Sequence, residues 1–370
     1  MAIPSACRTA ADERGDGCDR HLRASWVWTR ATLLGVPQNL RPDRGARPRT
    51  PDGLAARGTL RPRRPLDLDG TLSVLRRGSG DPAVRRAADG AWWWATRTPC
   101  GTALLRLQAV PGEGVVLARA WGEGAGWVLD GVAELLGEDQ DDAGFVPRPE
   151  HPVLVAAWRS RPGVRVLRTR AVFEALAGAA LEQVVTVVEA RRAWRDLLLR
   201  FGEPAPGPAA LPGGPASGMR VPPTAAQWAA IPSWEWLRAG VEERRRRVVQ
   251  VAARCASGLE RTTAMDPARV EPALRTLPGV GVWTAAEVRH RAHGDPDAFS
   301  FADYHVAKNV SFALTGTVMD DAGCEEVLEC YRGHRYRVQR LLELAGIARP
   351  RRAPRMPLPR HVPAATRMRS

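Results

Sequence analysis

One lysine, Lys308, stands among 54 basic residues, and the other 53 are arginine. A GC-rich genome is the bland cause. Even so, any step that needs a lysine side-chain amine has a single candidate. Cysteine is scarce as well. The six (Cys7, Cys18, Cys100, Cys255, Cys324 and Cys330) are scattered and none forms a CxxC pair. No spacing for zinc or an iron–sulfur cluster results, and reduced thiols in a cytosol are the simple reading. No run of 18 apolar residues exists, so nothing is expected to span a membrane. The first 25 residues hold no apolar stretch of the kind a secretory signal needs. With 44% apolar residues in 370, the chain can bury a core of about two domains' size. Collagen-like, wholly disordered and disulfide-scaffold classes are excluded.

The formal charge of +14 lies at the ends. Residues 1–64 carry 13 Arg against 6 acids, and residues 349–370 carry 7 Arg and no acid, so each end contributes +7. Residues 65–348 are neutral overall. The basicity therefore argues for weak, salt-sensitive polyanion contact by the tails. A binding site in the core must come from local geometry.

Residues 1–58 are rich in Arg, Pro, Gly and Ala without a sustained apolar period, and are expected to be disordered, with Trp26 and Trp28 the only hint of structure. Residues 59–150 suit a small α/β unit. It has a short helix over Leu66 to Arg77 after Asp69, strands at Gly90 to Arg97, Ala103 to Val110 and Val115 to Trp121, and a helix from Gly126 to Leu136. Residues 137–150 read as a polar connector. The period then changes from 2 to 3.6. Val172 to Phe201 is a long amphipathic helical pattern with room for one interruption. Helices follow at Ala225–Ala230, Ser233–Ala239, Glu242–Ser257, Pro267–Thr276, Val282–His293, Asp303–Thr315, Glu325–Tyr331 and Arg335–Gly346. The expected class is α+β: a β-containing unit over 59–150, an all-α domain over 165–348, and a disordered Arg/Pro tail over 349–370.

Leu277-Pro-Gly-Val-Gly-Val-Trp283-Thr284-Ala lies between two of these helices. Its glycines let backbone approach a ligand closely. The helix that follows offers unpaired N–H groups and a positive dipole end, a combination that holds phosphate. The pattern h-x-G-h-G-x-x-T-A is that of the hairpin in a helix–hairpin–helix module, though a plain glycine turn would also satisfy it. Leu277, Gly279, Gly281 and Thr284 are the DNA-contact candidates. From fourteen residues after Trp283 onward, Asp297-Ala-Phe-Ser-Phe-Ala-Asp303-Tyr-His-Val-Ala-Lys brings an aspartate to the start of the next helix. With it the chain resembles the helix–hairpin–helix DNA glycosylases. The resemblance spans roughly residues 60–348 and is strongest at 277–310.

The resemblance implies that Asp303 is the catalytic carboxylate, although a plain N-cap is the alternative. Cleaving an N-glycosidic bond develops oxocarbenium character on the sugar, which a carboxylate beside C1′ stabilises while orienting water. Members that also cut the strand carry a hairpin lysine where this chain has Trp283, so a monofunctional hydrolase is implied. Leu181-Glu182-Gln183-Val184-Val185-Thr186 resembles the family segment I-L-x-Q-Q-x-S/T. Gln183 and Thr186 match it, and Val184 takes the place of the residue wedged into the duplex. A core valine is the other reading of Val184.

Trp283 and the N-terminal β unit look most like the 3-methyladenine DNA glycosylase II group. That group implies release of alkylated purines, whose cationic rings stack on tryptophan. Trp283 and Tyr304 are the pocket candidates, and the Trp92–Trp94 run lends a face to the cleft or is strand core. A second pocket aromatic in the family sits where this chain has Glu287, which would attract a cationic base or face solvent. Arg244–Arg247 and Gly333-His334-Arg335 are phosphate contacts or solvated faces. No cofactor, metal or iron–sulfur cluster is expected, beyond a monovalent cation that such a hairpin can hold near Gly279 and Gly281. The implied partner is double-stranded DNA containing alkylated bases, with no membrane, a monomer, and a cytoplasmic, nucleoid-associated location. A DNA-binding protein without catalysis and an oxidised-purine glycosylase are the rival readings.

Overall fold

The structure, a computed structural model, describes residues 56–140 and 144–350. Trp26, Trp28 and the tail from residue 351 onward lie outside the described residues. Five strands, β1 (Ala56–Leu60), β2 (Val84–Arg86), β3 (Trp92–Thr98), β4 (Gly101–Val110) and β5 (Val115–Trp121), form one antiparallel sheet in the order β1-β5-β4-β3-β2. Trp92 and Trp94 enter the main core, whereas Trp93 points to the other face and stacks on Trp121 with ring centroids 5.6 Å apart. That second face is covered by Ala205, Ala216, Met219 and Val221, around the small pair β6 (Glu203–Pro204) and β7 (Arg220–Val221). With both faces covered, the Trp92-Trp93-Trp94 run does not alternate with polar residues, and it is strand core.

The described residues also form fifteen α-helices: α1 (Leu68–Leu72), α2 (Ala125–Asp130), α3 (Val132–Leu135), α4 (Pro152–Ser160), α5 (Val172–Glu182), α6 (Val187–Phe201), α7 (Ala225–Ala230), α8 (Ser233–Arg238), α9 (Glu243–Arg254), α10 (Ala256–Arg261), α11 (Pro267–Leu274), α12 (Val282–Val288), α13 (Val306–Thr315), α14 (Asp321–Leu328) and α15 (Arg335–Leu344). The α+β reading holds, and several boundaries change for physical reasons. Strand β1 starts at Ala56, inside the stretch expected to be unstructured, because pairing with β5 makes it rather than its own periodicity. The first helix is shorter than Leu66 to Arg77. Asp67, not Asp69, caps it by accepting from Gly70 N at 2.8 Å. Asp69 instead accepts from Trp92 Nε1 at 2.7 Å and from Arg86. The helix expected over Gly126 to Leu136 breaks at Gly131, where a Cβ would lie 1.9 Å from an Arg170 nitrogen. Helix α4 falls where no element was expected. It begins on a proline at its first turn, the one helical place where the missing N–H costs nothing.

Helix α5 is the centre of the molecule. Nine of its residues are buried, six of them Ala, Gly or Val, so α9 and α12 pack closely against it. Glu260 accepts from Val172 N and Phe173 N, both at 2.9 Å, satisfying the helix start. One continuous core runs from the sheet through α5, α9 and α12, and a second joins α4, α13, α14 and α15. The loop between α12 and α13 crosses the seam between them. Among the described residues, no helix is long and apolar enough to cross a membrane.

Glu174, on the sheet side of α5, accepts from Thr96 Oγ1 at 2.8 Å. Burial pushes its carboxyl up to about 7, with the Thr96 bond opposing the shift. The folded state thus holds a proton that the unfolded chain releases near pH 4.5. Stability from this group falls as pH rises between those values, by on the order of 3 kcal/mol in full. Glu174→Gln should therefore melt close to wild type at pH 5 and several degrees higher at pH 8, measured by calorimetry across that range.

Candidate active site

Helix α11 ends at Leu274 and α12 begins at Val282, with the glycine turn between them. Val280 N donates to Leu277 O at 3.0 Å to close the turn, and Val280 is buried while Gly279 and Gly281 are exposed. Gly279 has φ +86°, and a Cβ on it would meet Val248 Cγ2 at 2.5 Å. Only glycine meets both demands. Gly281 precedes α12 without a side-chain cap, so the first N–H groups of the helix are left for an external acceptor.

The Gln183–Thr186 turn docks on this hairpin. Gln183 Nε2 donates to Thr284 Oγ1 at 2.8 Å and to Gly279 O at 3.0 Å. Both contacts are internal, so Gln183 ties the interruption after α5 to the hairpin. Thr186 caps α6 in a reciprocal box with Glu189, accepting from Glu189 N at 3.3 Å. Arg245 donates to Leu181 O at 3.0 Å and so holds the end of α5. Between these fixed points stands Val184, 91% exposed and at φ +54°. It is therefore not a core valine. A β-branched residue in the left-handed region is a strained outlier, and such strain persists only where surrounding contacts enforce it.

Asp303 is brought beside the hairpin by a loop. Its Oδ2 accepts from Trp283 Nε1 at 3.1 Å, and its Oδ1 accepts from His305 N at 2.7 Å and Val306 N at 3.0 Å. The aspartate thus covers the start of α13, and that helix begins at Val306, later than expected, because the carboxylate takes the first N–H groups from outside it. The preceding residue, Ala302, is at φ +62°, and its N–H donates to Asp321 at 2.8 Å. Trp283 and Asp303 are both half-buried and in direct contact. Tyr304, in contrast, is 72% exposed, with Lys308 Nζ 4.3 Å from its ring centroid and His305 edge-on to it.

Glu287 neither faces solvent nor stands free to meet a cation. It is buried, accepts from Arg291 Nη1 at 2.5 Å and takes the Ser300 hydroxyl at 2.7 Å. Burial works against the Arg291 charge, and Glu287 together with Glu182 and Tyr336 more than offsets it, holding the guanidinium above its ordinary pKa. Beside it, burial and then Arg291 push His290 well below its usual value, and its neutral ring stacks on Tyr336 at 4.0 Å. Two residues before Val184, at the end of α5, Glu182 pairs with Arg77 at 2.5 Å. Sequence reading missed this buried network. Trp283, Glu287 and Arg291 recur every four residues on one helix, which was its one visible signal.

The proposed phosphate contacts divide. Arg245 is buried, and Arg335 pairs with Asp297 at 2.5 Å. Arg244 and Arg247 are exposed, the latter 3.3 Å from Glu243. A cleft of about 460 Å³ is lined by Val282, Ala286, Phe299 and Phe301 and, of the expected contact residues, by Arg335; Asp303 and Trp283 are not in its lining.

No family model matches the sequence, and no curated protein does. Solved structures do match. The chain is similar to a 3-methyladenine DNA-glycosylase from Archaeoglobus fulgidus with a TM-score of 0.60 at 17% identity, over 76% of this chain and 96% of that one. It is similar to the 8-oxoguanine glycosylase/lyase of Clostridium acetobutylicum, in complex with DNA, with a TM-score of 0.59 at 12% identity, over 80% of this chain and 97% of that one. The likeness is one of fold: this chain shares the fold of these two DNA glycosylases.

Proposed function

We propose that the protein is a monofunctional DNA glycosylase that hydrolyses the N-glycosidic bond of alkylated purines in duplex DNA, the first step of base-excision repair. The observation that carries this reading is the direct bond from Trp283 Nε1 to Asp303 Oδ2, beside a hairpin suited to backbone phosphate. An indole stands where strand-cutting relatives of this fold would need an amine. The hairpin holds the strand, Val184 enters the stack, and the extruded nucleotide meets Asp303. The C1′–N bond then breaks with its electron pair leaving on the base, water adds to C1′, and its proton passes to solvent or base. A ring alkylated at nitrogen leaves neutral from a cationic ground state, so no strong general acid is required. A DNA-binding protein without catalysis would gain nothing from a carboxylate placed near phosphates.

The buried Glu287 removes one aromatic wall from the pocket that a cationic base would favour. That observation supports an oxidised-purine glycosylase as the second reading. Single-turnover base release from duplexes carrying 3-methyladenine, 7-methylguanine or 8-oxoguanine separates the two. Faster release of the methylated bases is expected, and preference for 8-oxoguanine would replace the first reading by the second.

Two further outcomes are expected. Trp283→Phe keeps a ring and loses the N–H to Asp303, so excision should slow about tenfold with duplex affinity little changed. Lys308 donates to Tyr304 O at 3.3 Å and packs on the Tyr304 ring, and no other lysine exists in the chain. Borohydride should therefore trap no covalent adduct with abasic DNA. An adduct that disappears in Lys308→Ala would show a lyase.

A further inference from the structure

We propose that Glu287 is a positioning residue that sets the register of the Asp303 loop on α12 through the Ser300 hydroxyl; the proposal rests on the reading of Asp303 as the catalytic carboxylate. Residues 294–305 contain no helix or strand, yet must hold a carboxylate to within a fraction of an ångström of its working position. Helix α12 grips this loop at two points one turn apart. Trp283 reaches Asp303 at 3.1 Å, and Glu287 takes the Ser300 hydroxyl at 2.7 Å. Between those points lies Ala302, in the left-handed region at φ +62°. A strained residue stays put only when the chain on both sides is fixed.

Ser300 is fully buried and has no freedom left. Its N–H donates to Gln339 Oε1 at 3.0 Å, and its hydroxyl, having donated to Glu287, accepts from Gln339 Nε2 at 3.2 Å. Gln339 is itself oriented by Glu343, to which it donates at 2.8 Å. The Glu287 rotamer is set by Arg291, one turn further on in the π-helical turn Arg289–His293 that continues α12. A buried ion pair contributes little net stability, since the attraction mainly repays desolvation. Its specific product here is a single orientation of the carboxylate that receives Ser300. A side chain that merely filled space would do so without a charge.

The test measures single-turnover base excision, duplex affinity and melting temperature for Ser300→Ala and Glu287→Gln, each alone and combined with Asp303→Asn. Ser300→Ala should lower the wild-type rate about tenfold or more, with affinity for methylated duplex within about twofold. Glu287→Gln keeps an acceptor for Ser300 but loses the charge that pairs with Arg291 and fixes its rotamer, so its rate should fall between those of wild type and Ser300→Ala. In the Asp303→Asn background, Ser300→Ala should change the residual rate by less than twofold, because the group it positions is gone. The proposal is overturned if Ser300→Ala slows both backgrounds by the same factor, or if rate and affinity fall together with melting temperature. If Asp303→Asn alone excises as fast as wild type, the underlying reading fails and this proposal with it, whereas a slow Asp303→Asn with a fast Ser300→Ala defeats this proposal alone.

Discussion

Asp303→Asn should excise base about a thousandfold more slowly than wild type while binding duplex DNA as well. The substitution is close to isosteric. An asparagine oxygen can still accept from His305 N and Val306 N, which now meet Oδ1 at 2.7 and 3.0 Å, so the start of α13 survives. What disappears is the negative charge facing an oxocarbenium-like sugar, the ability to deprotonate water, and the acceptor for Trp283 Nε1, since the single amide oxygen is kept by the cap. The cap and the catalytic role thus separate cleanly. A variant that unfolds would point to the cap as the main role of Asp303. A variant that folds, binds and fails to cleave would point to the charge.

Val184→Gly should move stability and activity in opposite directions. Relief of the left-handed conformation at φ +54° favours the variant, and the extra freedom of glycine in the unfolded chain takes back part of the gain. A net increase of about 0.5–1 kcal/mol is expected, seen as a rise of a few degrees in melting temperature. Nothing in the folded protein is lost, because Val184 is 91% exposed. Against DNA the variant lacks the side chain that would fill the vacated stack, so excision should slow by about ten- to a hundredfold. Strain kept at an exposed residue is a cost to stability without any structural return, which is the pattern expected of a functional position. Equal activity of Val184→Gly and wild type would remove the wedge from the account.

The elements were legible in the sequence where one local pattern decides them. The hydrophobic alternation of Val115–Trp121 and the 3.6 period of Ala225–Ala230 gave strand and helix with the observed bounds. The glycine turn at 277–281 and Asp303 were legible because turn chemistry and a carboxylate beside a helix start are local facts. Strand β1 was not, since Ala56–Leu60 is ordered by its neighbour β5. Helix α4 was hidden by the prolines in and around it, Pro147, Pro149, Pro152 and Pro162. The largest gap was Glu287. A glutamate four residues after a tryptophan reads as pocket wall or solvated charge, and nothing local says that Ser300, thirteen residues on, will return to take its oxygen. The left-handed turns at Val184 and Ala302 were equally silent, because neither residue type favours that conformation and tertiary contacts alone impose it.

The measurement that bears most directly on the account is analysis of both products when the wild-type protein acts on methylated duplex DNA. Mass spectrometry would identify any free base, and gel electrophoresis before and after alkali would report the strand. The account predicts free 3-methyladenine or 7-methylguanine and a strand that stays intact until alkali opens the abasic site. Absence of any free base, with the duplex bound, would contradict the enzyme; strand cleavage without alkali would contradict the water-driven chemistry assigned to Asp303 and Trp283.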